Sequence, residues 1–264
     1  MSTRDHLRPS RAAWLAAALA AATIAGCSGP EATAAPAPAS SPAAAAPSPT
    51  ELPPADAVKT GLQRLAASAH TYTVAGTYWD KQKYRASGTY DPKAHKDSRT
   101  SVISGGDKPK TRKIIVIAGK SYVQATGMQG WRRADLSRLT PASDYWVADP
   151  KDPGGLTRFI AAIHSARRIG PNKYEGEANL DDKSGALTYL PLGAPVLRFG
   201  GGGSLVSYQV TTTVKGDVTS IRTVFDTVEG TMDHTTTYGN LGRPVKITAP
   251  SPVVDVPSSA YSAR

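Results

Sequence analysis

From residue 70 onward, apolar and polar residues alternate in short runs that are rich in Thr, Val, Ile and Tyr. Alternation with a period of two is typical of β-strands that bury one face, and the Gly, Pro, Asp and Lys residues between the runs indicate turns. The predicted strands cover 71–79, 86–90, 98–103, 112–118, 121–125, 130–134, 174–180, 205–215, 218–227, 232–238 and 245–247. Their short connections predict antiparallel meanders without strand–helix–strand crossovers.

Two segments have helical spacing instead. In the first, apolar residues recur every three or four positions: Val58, Leu62, Leu65 and Ala69. This spacing predicts an amphipathic helix over 56–69. Asp152 as N-cap and Pro153 at the first helical position predict a second helix over 152–166. Its predicted buried stripe comprises Leu156, Phe159, Ile160 and Ile163.

Three local patterns refine this α+β prediction. Residues 114–117 are apolar at every position, which predicts a central strand covered on both faces. Gly119-Lys120, Gly216-Asp217 and Gly242-Arg243-Pro244 predict tight turns between paired strands. Residues 187–199 are apolar but interrupted by two prolines and a glycine, so we expect a loop or lid of apolar side chains there.

The N-terminus begins with a basic leader and an apolar run over 12–24, the order of a secretory signal peptide. The run has about 13 residues, whereas a membrane-spanning helix needs roughly 20. Directly after two small residues stands Cys27, the only cysteine. This arrangement resembles the lipobox of bacterial lipoproteins, in which the cysteine receives a diacylglycerol and becomes the new N-terminus. The resemblance implies removal of residues 1–26 and lipidation of Cys27; the alternative is a plain signal peptide with an incidental cysteine.

Residues 27–56 consist almost entirely of Ala, Pro and Ser after the cysteine. Such a composition cannot bury enough apolar surface to fold and predicts a disordered tether. Its span would be about 30 Å as a coil and about 90 Å as an extended polyproline helix. We therefore expect a folded domain over 57–264, held outside the cytoplasm at the cell membrane by acyl chains such as palmitate.

The charge of the chain limits the classes of partner that it can bind. The formal net charge is +10, and residues 28–56 contain no Lys or Arg. A basic domain is compatible with nucleic acid, but export excludes that partner. An anionic wall polymer or an envelope protein is a second class of partner, and a simple solvated basic surface is the alternative. The single cysteine leaves no thiol for a disulfide.

The residue types of common catalytic and metal sites are not grouped in the sequence. His70, His95, His164 and His234 have no second His or Cys at metal-ligand spacing. No Gly-x-Ser-x-Gly sequence is present, although the members of a Ser/His/Asp triad need not be adjacent. We predict a non-enzymatic protein without a metal or cofactor.

Several phrases of the chain, taken in order, resemble the LolA/LolB-like superfamily, in particular actinobacterial lipoproteins of the LppX/LprG type. The matching phrases are GKSYV at 119–123 leading to Gly130-Trp131, DPGGL at 152–156, YEG at 174–176, Gly216-Asp217 and YGNLGRPVKITAP at 238–250. The resemblance implies a curved antiparallel half-barrel with helices packed on its concave face. It also implies an apolar cavity that holds an acyl chain of a lipid or an acylated protein for carriage or presentation in the cell envelope.

The candidate ligand-binding residues are large apolar side chains: Trp79, Ile115, Trp131, Trp146, Phe159, Leu192, Leu197 and Phe199. For the tryptophans, plain core packing is the alternative role. The later strands carry runs of threonine, which an apolar cavity does not favour. The second functional hypothesis is therefore an envelope sensor or interaction module whose core is filled by its own side chains.

Overall fold

The computed structural model describes residues 52–78, 80–140, 143, 145–146, 152, 154–179, 188–189, 196–197, 205–227 and 230–261. The predicted leader, the lipidation site Cys27 and all but the last few residues of the predicted tether lie outside this part of the chain. The same holds for most of the predicted apolar loop over 187–199.

Strands dominate the described residues. The helices are α1 (Pro54–Ala66) and α2 (Leu156–Ala162), and the short 3-10 turns are Leu136–Arg138 and Ser258–Tyr261. The strands are β1 (His70–Thr77), β2 (Lys83–Asp91), β3 (Lys96–Ser104), β4 (Lys110–Ile117), β5 (Lys120–Ala125), β6 (Trp131–Asp135), β7 (Arg167–Gly170), β8 (Lys173–Asn179), β9 (Thr188–Tyr189), β10 (Val196–Leu197), β11 (Leu205–Thr212), β12 (Val218–Thr227), β13 (Gly230–Gly239) and β14 (Val253–Asp255).

Twelve of these strands form one sheet in the order β14-β6-β5-β4-β3-β2-β1-β13-β12-β11-β8-β7. β9 and β10 pair separately. Successive strands from β1 to β6 are neighbours, as are β11, β12 and β13, which confirms the predicted meanders. The pairing of β1 with β13 joins the two halves of the chain. The ladder is open, with β14 and β7 at its ends, which agrees with a half-barrel.

Helix α1 confirms the predicted stripe at Val58, Leu62 and Leu65 but spans Pro54–Ala66 and not 56–69, so Ala69 lies outside it. Pro54 occupies the first turn, where a missing N–H costs nothing, and Val58, Leu62 and Leu65 are fully buried. At Gly61 a Cβ would lie 2.7 Å from the carbonyl oxygen of Gly216, so only glycine allows the helix to approach the β11–β12 turn this closely.

The sheet has two different faces. On what we call the helix face, Tyr72, Val74 and Tyr84 are buried in one core with the apolar side chains of α1 and α2. On the other face, which we call the open face, small hydroxyl side chains follow the register across neighbouring strands, for example Thr237, Thr73 and Ser87. The threonine-rich strands are thus wet on one side, as their alternation predicts.

The buried apolar side chains form two separate clusters. The first core joins α1, α2 and the strands β1, β2, β8 and β11–β13. The second core includes Ile114, Val116, Val123 and Leu136 and lies over β4–β6. Between them, the buried residues of β3 are Asp97 and Arg99, with no buried apolar side chain. A polar central strand therefore divides the core.

Helix α2 is shorter than the predicted 152–166. Its N-cap is Gly155 with φ of 67°, a left-handed conformation that the first turn cannot include. Asp152 still caps the helix, because its carboxylate accepts hydrogen bonds from the backbone N–H groups of Thr157 (3.2 Å) and Arg158 (3.0 Å). The helix ends at Ala162 because the following backbone turns to the sheet, where residue 163 bridges to Ala178.

The predicted strand 245–247 and its hairpin with the end of β13 are wrong. β13 is already paired with β1 on one side and β12 on the other, so no edge is left for a third strand. The chain continues instead to β14, which pairs in parallel with β6. Arg133 and Asp255 fix this contact through two hydrogen bonds of 2.7 and 2.9 Å. The sheet is therefore mixed and not wholly antiparallel.

The prediction that both faces of 114–117 are covered is also wrong. Ile114 and Val116 are buried on the helix face, whereas Ile115 and Ile117 are only half-buried on the open face. The two helices pack against one face of the sheet. The run 114–117 is apolar on both faces, but neither of these helices covers Ile115 and Ile117 on the open face.

Candidate functional site

A groove on the helix face lies where β2, β3 and β4 pass between the two cores. The register aligns three rows of side chains there: Tyr84–Ile103–Lys110, Ala86–Ser101–Arg112 and Gly88–Arg99–Ile114. The groove has a volume of about 950 Å³ and is completed by Tyr78 and by residues 106–109 of the β3–β4 loop. This volume lies at the upper end of the roughly 300–1,000 Å³ typical of small-molecule sites.

The groove combines an apolar part with a cationic part. Tyr78, Tyr84, Ile103 and Ile114 supply apolar surface. The cationic side chains are Arg99, Lys108, Lys110 and Arg112, and Asp107 is the one carboxylate among the described lining residues. A site with both kinds of surface suits an amphiphilic ligand, because apolar groups leave water while a polar end keeps charged partners.

Arg99 lies in the floor beside a buried polar cluster. It is only 7% exposed, and the carboxylate of Asp97 on the same face of β3 is 1% exposed. The hydroxyl of Tyr72 donates a hydrogen bond to this carboxylate over 3.2 Å. Burial raises the pKa of Asp97, while the charge of Arg99 and the hydrogen bond from Tyr72 oppose the rise.

Glycines allow large rings to lie flat across the sheet beside the groove. The ring of Tyr72 covers Gly88, where a Cβ would lie 2.3 Å from its Cζ and hydroxyl oxygen. The ring of His234 covers Gly76, where a Cβ would lie 2.5 Å from its Cδ2. The positions of both rings therefore depend on the absence of a side chain on the neighbouring strand.

His234 stands directly behind the aromatic wall of the groove. Its ring centroid lies 5.7 Å from that of Tyr78 and 5.6 Å from that of Tyr84, in edge-to-face geometry. The side chain is 1% exposed, and neither ring nitrogen has a hydrogen-bond partner in the described part of the chain. Burial lowers the pKa of His234 to about 4, so the ring is neutral at physiological pH.

The candidates predicted from the sequence lie in several places. Phe159 is fully buried in the first core, with its ring 5.6 Å from that of Tyr208. Trp146 packs against the second core, Trp131 is half-buried in β6, and Ile115 is half-buried on the open face. None of these four lines the groove.

The remaining candidates fall on Cys27, Trp79, Leu192 and Phe199, outside the described residues, and on Leu197, of which only the backbone in β10 is described.

The candidates predicted from the sequence do not include the residues that line the groove. Ile114 belongs to the apolar run 114–117, and Lys108, Lys110 and Arg112 belong to the basic charge that the sequence alone assigns to no site. One signal is present in the sequence, because Arg99 and Ser101 occupy alternate positions of the predicted strand 98–103 and Asp97 directly precedes it, whereas a buried face requires apolar residues. Such an interruption on the buried face marks a site.

The described residues contain neither a metal-binding cluster nor a membrane-spanning helix. No three His, Cys, Asp or Glu side chains are grouped to hold a metal ion. In the same part of the chain, neither helix has the length and apolar character that crossing a bilayer requires.

Comparisons with known proteins found similarity only among solved structures. The chain matches no family model and no curated protein. It is similar to an uncharacterized conserved protein from Thermus thermophilus, with 11% identity and a TM-score of 0.34 over 76% of this chain and 96% of that one. It is also similar to a LolA superfamily protein from Nitrosomonas europaea, with 11% identity and a TM-score of 0.30 over 72% of this chain and 94% of that one. Neither similarity assigns this chain to a family or a ligand to its groove.

Proposed function

We propose that this protein is a membrane-anchored lipoprotein of the cell envelope that binds an acyl chain or a similar apolar ligand for carriage or presentation. In this proposal the sheet is a half-barrel whose concave face carries the helices. The observation that supports it is the groove of about 950 Å³, with Ile103 and Ile114 at its floor and Tyr84 in its wall, between the two cores. Binding is non-enzymatic and needs no cofactor, and the tether allows the domain to reach ligands some distance from its anchor.

The driving force for binding is removal of apolar surface from water. Each methylene of an acyl chain that enters the groove contributes about 0.8 kcal/mol. The aromatic side chains Tyr78 and Tyr84 add a rigid wall, because their rings are held edge to face with each other at 5.9 Å. A groove that is largely formed before binding loses little conformational entropy when the ligand enters.

We expect Ile103→Gln to weaken the binding of a fluorescent palmitate analogue about fivefold or more. The amide at this position would lose hydrogen bonds to water when the chain covers it, at a cost of about 1–3 kcal/mol. The measurement is fluorescence titration of the full chain carrying Cys27→Ala, purified without detergent.

Ile115→Gln is the matched control for that titration. It changes the same residue type, half-buried like Ile103 but on the open face. If Ile115→Gln weakens binding and Ile103→Gln does not, the ligand binds elsewhere than in the groove. If neither the parent chain nor any variant binds acyl probes, the proposed function is wrong.

The anchor has its own test. We expect Cys27→Ala to move the protein from the membrane fraction to the soluble fraction, because stable attachment needs two or more acyl chains. The measurement is immunoblotting of fractionated cells, with Ser28→Ala as the control that leaves the thiol in place. Retention of the Cys27→Ala protein in the membrane fraction would contradict lipidation at this residue.

An envelope sensor or interaction module is the second candidate function. The first core favours it, because Phe159, Tyr208 and Leu62 are almost completely buried and fill the space that a large lipid cavity would occupy. Absence of acyl binding, together with retention of a wall polymer or an envelope protein on the immobilised chain, would support this function over the first.

A further inference from the structure

The cationic side chains of the groove follow a gradient of burial. Arg99 in β3 is buried, Arg112 in β4 is half-buried, and Lys110 and Lys108 at the rim are exposed. Arg99, Arg112 and Lys110 lie on the same face of the adjacent strands β3 and β4, with Arg112 opposite Ser101 and Arg99 opposite Ile114. Lys108 lies in the loop before β4. A charged group that entered beside the apolar floor would therefore meet positive charge from the rim to the floor.

Among the described residues that line the groove, cationic side chains outnumber carboxylates. Asp97 lies on the same face of β3 as Arg99 and already accepts a hydrogen bond from the Tyr72 hydroxyl, and Asp107 is at the rim. In the part of the chain that the structure describes, the groove is thus lined by four cationic side chains and one carboxylate, with Asp97 buried beside it. The positive charges of Arg99 and Arg112 also act on Tyr84: burial raises the pKa of its hydroxyl, and the two charges oppose this rise.

The apolar and cationic parts share the same rows. Ile103 stands directly between Tyr84 and Lys110, so the apolar floor and the exposed ammonium group are cross-strand neighbours. A small inorganic anion would contact the cationic side chains but leave the apolar part of the floor exposed to water. A neutral alkane would cover the apolar part but leave the cationic side chains without a charged partner from the ligand. One ligand that carries both an acyl chain and an anion uses all three strands.

From this arrangement we infer that the ligand of the groove is an anionic amphiphile, whose carboxylate or phosphate group is bound by Arg99, Arg112 and the lysines at 108 and 110. This rests on the proposed function, because it names the polar end of the same ligand. Guanidinium groups suit both anions, since they donate two parallel hydrogen bonds to a pair of oxygens. The exposed lysines attract the anion at longer range and make its entry dependent on ionic strength.

The experiment compares probes that share one alkyl chain and differ at the head: hexadecanol, palmitate and hexadecyl phosphate. Binding to the full chain carrying Cys27→Ala is measured by calorimetry below the concentrations at which each probe forms micelles. We expect both anions to bind at least tenfold more tightly than hexadecanol at low salt, with the preference falling as salt is added. A larger preference for one anion identifies the carboxylate or the phosphate as the natural head group.

Charge reversal locates the anion. Lys110→Glu is expected to remove most of the preference for the anionic probes and to leave hexadecanol affinity within about twofold. Lys113→Glu is the matched control, because it lies in the same strand, is exposed and projects from the open face. An equal effect of the two reversals would show attraction to net charge alone and would overturn the inference.

The two proposals fail in different ways. If hexadecanol binds as tightly as the anions, the groove takes acyl chains and the inference about the head group is wrong. If none of the three probes binds, the proposed function is wrong and the inference falls with it. Lys110 is exposed at the rim, so Lys110→Glu is expected to fold normally. Similar thermal transitions of Lys110→Glu and Lys113→Glu would show that a difference in binding does not come from unfolding.

Discussion

Gly88→Ala is expected to lower the free energy of unfolding by about 3 kcal/mol. The new Cβ would lie 2.3 Å from the hydroxyl oxygen of Tyr72 and 2.6 Å from the carbonyl oxygen of Ser98. The Tyr72 ring is buried and cannot move without disturbing the first core, and overpacking of this kind costs about 1–3 kcal/mol. Displacing the ring also removes the hydroxyl from the buried carboxylate of Asp97, at a further cost of about 1–3 kcal/mol.

The measurement for Gly88→Ala is the midpoint of urea unfolding, with Gly170→Ala as its control. Gly170 is also a strand residue, but a Cβ there meets no atom within 4 Å. At such a position the change from Gly to Ala reduces the entropy of the unfolded chain and is neutral or stabilising by about 0.4–1 kcal/mol. Equal midpoints for the two variants would contradict the packing of Tyr72 over Gly88.

Acidification is expected to destabilise the fold through His234. In the folded state the pKa of this ring is lowered to about 4 by burial, from 6.5 in the unfolded chain. As the pH falls below 6.5, the unfolded state binds a proton that the folded state does not, so stability is lost down to about pH 4 and then levels off. The shift corresponds to about 3 kcal/mol of unfolding free energy. Burial also lowers the pKa of His70, so this residue contributes to acid destabilisation in the same sense.

The contribution of His234 is measured as a difference between proteins. His234→Leu keeps a buried apolar group and removes the titration, so its stability relative to the parent should rise by about 3 kcal/mol between pH 7 and pH 4. Asp97 acts in the opposite sense, because its raised pKa makes acid stabilising, and it cancels in this comparison. His164→Gln, at an exposed histidine, should show no such change. A parallel pH dependence in His234→Leu and the parent would contradict the buried neutral ring.

The same ring connects stability with the candidate site. His234 touches Tyr78 and Tyr84, which form the wall of the groove. A proton on His234 would place an unpartnered charge behind that wall, where burial makes it costly. Unfolding and ligand release should therefore become easier over the same range of acidity.

Local patterns in the sequence sufficed for the elements whose neighbours in space are also neighbours in the chain. The stripe of Val58, Leu62 and Leu65 gave α1, and the turn at Gly216-Asp217 gave the β11–β12 hairpin. These succeed because helix periodicity and tight-turn chemistry act within a few residues. Prediction failed at 245–247 because the pairing of β13 with β1 and β12 is decided by residues far away in the chain.

The sequence by itself determined the alternation of the strands, the apolar stripe of α1, the basic charge and a single cysteine in a signal-like leader. Only the tertiary structure decided that Arg99, Ile103 and Arg112 share one groove, because they come from two strands whose register places them on the helix face. It also decided that Ile114 faces the groove and Ile115 the open face, although both are equally apolar. The alternation of a strand can be read from consecutive residues of the chain. A binding site depends in addition on which strands pair and which face of the sheet is covered.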